Sequence, residues 1–70
     1  MWRIIKLFGY KVCAKIYDEP SIYGIYEGRI SKLSIWKHGR EILSYERGWD
    51  FSELSEATVK RIVAVLEWIF

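Results

Sequence analysis

Side chains able to do chemistry gather in a few places along this chain, and each was weighed for a reaction. Glu46, Asp50, Glu53 and Glu56 lie close together in sequence, as a proton-exchanging pair or a hard-cation site would require. Their spacing does not match a calcium loop, and acids collect at helix starts because they complement the helix dipole. Cys13 stands between Lys11 and Lys15, cations that lower the pKa of an exposed thiol. No base and orienting group complete a catalytic set around it. One Cys and one His cannot close a tetrahedral zinc site. His38 reads as a turn residue, and Gly24 and Gly28 do not open a helix as a phosphate-cradling loop would. The expectation is a protein that is not an enzyme, with no catalytic residue, cofactor or metal.

Binding is better supported. Arg29, Lys32, Trp36, Lys37, His38, Arg40, Tyr45 and Arg47 cluster in the middle of the chain. Aromatics that stack on bases beside cations that meet phosphates are how sheet surfaces hold single-stranded nucleic acid. Trp, Tyr and Arg are equally the usual anchors of protein interfaces. Eleven Lys and Arg stand against nine Asp and Glu, a net charge of +2, and Glu27, Glu41 and Glu46 lie within the cluster. That balance favours a protein partner or a second copy, with Trp36, Tyr45, Arg47 and Trp49 as anchors. Nucleic acid held by Lys32, Trp36, Lys37 and Arg40 is the alternative.

The elements that must position these residues follow from length and pattern. Seventy residues make a single small domain, 1–70, and a chain this short buries only about 60% of its unfolded surface. A lone cysteine forms no internal disulfide, so aromatic packing or association must stabilise it; aromatics are 17% of the residues. Lys6, Lys11 and Lys15 interrupt the apolar runs before a membrane span could form. Met1 to Ile5 begins like a secretory leader, but Lys6 breaks it and no cleavage site follows. A cytoplasmic location is expected.

Residues 10–16 alternate apolar and charged, as a half-buried strand does. Residues 3–8 are strand-prone, with Gly9 marking a bulge or a turn. Pro20 ends this region, and the apolar segment 21–29 should fold back onto the core. Residues 30–37 and 41–47 read as two strands joined at His38-Gly39 by a two-residue turn. In that register Ile35 faces Ile42 and Leu33 faces Ser44; Trp36 faces Glu41, Ser34 faces Leu43 and Lys32 faces Tyr45. The second face, with Trp36, Leu43 and Tyr45, would be left uncovered. Arg47-Gly48-Trp49-Asp50 reads as a corner: Gly48 takes an unusual φ, Trp49 plugs the gap between sheet and helix, and Asp50 pairs or caps. A helix follows over 56–69, capped by Ser55, with an apolar stripe of Val59, Ile62, Val63, Leu66, Ile69 and Phe70 that Val65 and Trp68 widen. The fold class is α+β: a three- to four-stranded antiparallel β-meander with one C-terminal helix packed on one face.

The run Gly24-Ile25-Tyr26-Glu27-Gly28-Arg29-Ile30-Ser31-Lys32-Leu33, followed by Tyr45-Glu46-Arg47-Gly48-Trp49-Asp50, resembles a family of short proteins of unknown function. These occur in Firmicutes-type bacteria and their phages. The family has a Gly-Arg-Ile-Ser-Lys-Leu-like strand and a Tyr-Asp-Arg-Gly-Trp-Asp-like corner, with Glu46 here in place of Asp. The resemblance implies the same fold and a phage or mobile-element setting. An accessory that binds and modulates a host protein, such as an inhibitor of a bacterial defence system, is the expected kind of role. It transfers no active site.

Overall fold

The structure, a computed structural model, describes residues 2–70. Five strands run in sequence order, β1 (Trp2–Leu7), β2 (Tyr10–Ile16), β3 (Ile30–Lys37), β4 (Arg40–Glu46) and β5 (Trp49–Ser52), and each pairs antiparallel with the next. Helix α1 (Glu56–Ile69) closes the chain. The α+β class and C-terminal helix are as expected, but the sheet has five strands rather than three or four.

Two turns set the meander. Leu7 pairs with Tyr10 and Lys37 with Arg40, so each hairpin has a two-residue loop. Phe8 and Gly9 lie at φ 54° and 81°, His38 and Gly39 at 54° and 75°. Positive φ at both central residues is the turn whose twist matches that of the flanking strands. The two loops stand side by side at one end of the sheet.

The expected register holds at Trp36 and Glu41 and then fails. An irregularity between Ile35 and Trp36 inserts Ile42 as an extra residue, so Ile35 pairs with Leu43, Leu33 with Tyr45, Ser34 with Ser44 and Lys32 with Glu46. A one-residue shift exchanges the faces of a strand. Here it places Ile42, Leu43 and Tyr45 in the core with Leu33 and Ile35. Leu43 and Tyr45 therefore do not lie beside Trp36 on an uncovered face.

The core sits between the sheet and α1. Val59, Ile62, Val63 and Leu66 project from the helix onto Val12, Ala14, Leu33, Ile35 and Leu43. Ser55 caps the helix, its hydroxyl accepting from the Thr58 amide at 3.2 Å, which satisfies one of the free donors of the first turn. The far end is closed from outside. Arg29, just before β3, donates to Glu67 Oε1 at 2.8 Å, to the Glu67 carbonyl at 2.8 Å and to the Phe70 carbonyl at 3.1 Å, while its own amide donates to Glu67 Oε2 at 2.8 Å. A cation there meets both the unpaired carbonyls and the negative end of the helix dipole.

Segment 21–29 folds inward at one point only: Ile25, in a short 3₁₀ turn (Ile25–Glu27), is fully buried, while Ile22, Tyr23 and Tyr26 stay exposed. The core itself is aliphatic. Of twelve aromatics only Tyr45 is buried, and nine are exposed, so aromatic packing is not what stabilises this domain.

Candidate functional site: the open sheet face

Residues directly opposite in an antiparallel pair share a face, so the register defines the surface that α1 leaves uncovered. Three rows cross it. One runs Lys6, Lys11, Trp36, Glu41; the next Ile4, Cys13, Ser34, Ser44, Phe51; the third Trp2, Lys15, Lys32, Glu46. Trp2 is 54% exposed, Ile4 66%, Trp36 37% and Phe51 43%. Trp2 and Ile4 adjoin on β1, while Trp36 on β3 and Phe51 on β5 stand apart from them and from each other.

Polar groups on this face are arranged as well. Lys32 pairs with Glu46 at 3.4 Å, Ser34 donates to the Glu41 carboxylate and Ser44 to Asp50 at 3.0 Å. Cys13 is half-buried with Ile4 and Ser34 opposite it. Among the described residues no group of three His, Cys, Asp or Glu side chains could hold a metal ion, and no helix is long and apolar enough to cross a membrane.

The four expected partner anchors do not share a surface. Trp36 lies on the open face. Tyr45, 7% exposed, belongs to the core, and its hydroxyl donates to the Tyr23 carbonyl at 2.8 Å; burial raises its pKa above the ordinary value. Trp49 packs edge-on against Tyr45, ring centroids 5.0 Å apart, and stays half exposed over a shallow cleft of about 350 Å³ with Tyr26, Leu54 and Val59. Arg47 occupies the β4–β5 turn at φ 57°, its amide donating to the Ser31 carbonyl at 2.9 Å. The corner thus differs from expectation: the positive φ falls on Arg47 rather than Gly48, Trp49 begins a strand, and Asp50 accepts from Ser44.

The alternative set, Lys32, Trp36, Lys37 and Arg40, is also dispersed. Arg40 is held by Glu53 at 2.6 and 2.7 Å, which raises its pKa, and the Lys37 ammonium sits 5.2 Å from the Tyr10 ring centre. Lys37 and Trp36 do share a cleft of about 590 Å³ at the hairpin ends with Lys6, Lys11 and His38.

Sequence reasoning missed Trp2, Ile4, Lys6 and Phe51. The alternation of Trp2, Ile4 and Lys6 with Arg3, Ile5 and Leu7 was the available signal for the first three. Phe51 had none, since β5 is four exposed residues whose pairing is displaced by an irregularity between Ser44 and Tyr45.

Residues 1–70 match the family model described as Domain of unknown function (DUF7678). No curated protein and no solved structure matches the chain.

Proposed function

Since the chain belongs to the DUF7678 family, a domain of unknown function, we propose from its site alone that it is a non-enzymatic protein-interaction module working through the open sheet face. The observation that carries this reading is the outward placement of nine of its twelve aromatics, with Trp2, Trp36 and Phe51 distributed with Ile4 over a face the helix does not cover. Aromatics at such a surface are the anchors of protein interfaces. A phage or mobile-element accessory that modulates a host protein, a defence component being one instance, fits such a module.

The test is a photo-crosslinking amino acid placed in turn at Ile4 and Phe51, and at exposed Arg61 on the helix as control. Discrete protein adducts in cells from the open-face positions, and none from position 61, are expected. No adduct from either open-face position overturns the reading.

A second reading has its own observation. Lys6 and Lys11 share the row of Trp36 at the hairpin ends, Lys37 lines the same cleft with its ammonium over the Tyr10 ring, and among the described residues none of the three is ion-paired with an acid. A single-stranded nucleic acid would find stacking and phosphate contacts there. It predicts retention of single-stranded RNA or DNA on filters that falls steeply with salt and is lost in Trp36→Ala.

A further inference from the structure

The charges of the open face are sorted. Lys6, Lys11 and Lys15 lie on β1 and β2, and among the described residues no carboxylate pairs with any of them. Glu41, on β4, and Asp50, on β5, receive hydrogen bonds from the Ser34 and Ser44 hydroxyls rather than from a cation. One half of the face is therefore basic and the other acidic, with β3 between them. Apolar groups stand at both margins of the middle row, Ile4 on β1 and Phe51 on β5.

We propose that the occupant of this face is a second copy of the chain, stacked sheet on sheet about a two-fold axis parallel to β3. The proposal rests on the reading of the open face as a protein interface and names its partner. Rotation about such an axis keeps each row in place and exchanges β1 with β5 and β2 with β4. Lys11 then meets Glu41 of the other copy, Lys15 meets its Glu46, Ile4 meets its Phe51, and the two Trp36 side chains meet at the axis. Lys32 meets its own counterpart across the axis, a like-charge contact made once, and Glu46 at 3.4 Å offsets it. Because both copies present the same patch, each contact off the axis occurs twice, as in any isologous interface.

Among two-fold axes lying between the faces, the charge pattern selects one along the strands over one across them. An axis across the strands would exchange the outer rows, setting Lys11 against Lys15 of the other copy and Glu41 against its Glu46. Like charges opposed in an interface exclude that arrangement. Thirteen open-face positions, about 4.8 Å apart between strands and about 7 Å apart between rows, give on the order of 440 Å² per copy in plan and roughly 900 Å² for the pair, the size of a weak, concentration-dependent dimer.

Sedimentation equilibrium across a concentration series tests the proposal. The wild-type protein should be a dimer whose dissociation constant rises with salt. Lys11→Glu and Glu41→Lys should each raise that constant by about tenfold or more. Combining them restores opposite charges across the axis and should bring the constant back to within about threefold of wild type. Ile4→Ser, at an exposed edge position, should weaken the dimer while thermal melting of dilute protein confirms that each variant is folded. A wild-type protein that stays monomeric throughout overturns the proposal, and so does a double variant weaker than either single one. A monomer whose Ile4 or Phe51 crosslinker still captures another protein removes the second copy and keeps the interface. A monomer with no adduct removes both. Oligomers that form only with added single-stranded nucleic acid overturn the proposal in favour of the hairpin-end reading.

Discussion

Phe8 holds a backbone conformation that suits asparagine better than phenylalanine. At φ 54° its side chain crowds the chain, whereas Asn followed by Gly is the preferred pair for this turn. The ring is exposed, so little packing is lost with it. Phe8→Asn should stabilise the protein by about 1 kcal/mol, a rise of about 4–8 °C in Tm for a domain of this size; calorimetry showing a fall would mean the ring makes a contact worth more than the strain. Tyr45 behaves oppositely. Burial raises its pKa, so the unfolded phenol ionises first, and the stability it contributes, complete below about pH 10, is lost as pH climbs through the folded value. Tyr17, which Lys15 pulls below its ordinary value, contributes with the other sign and is common to both proteins compared. Urea unfolding of Tyr45→Phe should show about 1 kcal/mol less stability at neutral pH, from the lost bond to the Tyr23 carbonyl, and a shallower decline in alkali. His38 was read as a turn residue from sequence, and its positive φ is tolerable because His is among the residue types enriched there.

Elements in this fold are legible where local pattern and tertiary environment agree. The helix was placed at 56–69 with its Ser55 cap because an amphipathic stripe and a capping residue are both local signals. Strands β2 and β3 were equally plain. The β3–β4 register was not, because a bulge depends on what Ile42 packs against, and no residue type in Glu41-Ile42-Leu43 announces it. The tie between Arg29 and the end of α1 was also invisible, since it joins residues 38 positions apart. That tie gives Gly28 its role: a Cβ there would run into the Glu67 carboxylate. Gly28→Ala should cost about 2 kcal/mol by displacing Glu67 from Arg29, and that cost should largely vanish in a Glu67→Ala background, where the collision is gone. Undiminished loss in the double variant, measured by chemical denaturation, would place the strain in the backbone instead.

At the scale of the molecule, composition leaves two places for the aromatic residues, inside the core or under a partner. Five strands and one amphipathic helix fill their interior with Val, Ile and Leu, which removes the first. Which face was open followed from β4, whose bulge turns Leu43 and Tyr45 inward, so the candidate site kept Trp36 from the expected set and gained residues from both edge strands. Trp2 lies on the open face, Trp36 on its middle strand at the hairpin end, Trp49 beside Tyr45 and Trp68 on the outer side of the helix, where it is 85% exposed. In the single chain all four indoles are therefore in contact with water before unfolding begins. Intrinsic emission is a poor witness to the melting of this protein, because its colour changes little when the core dissolves. It is a good witness to anything that settles on the surface: Trp2 and Trp36 would shift to the blue when the open face is covered, with Trp68 remaining as an unshifted reference within the same chain.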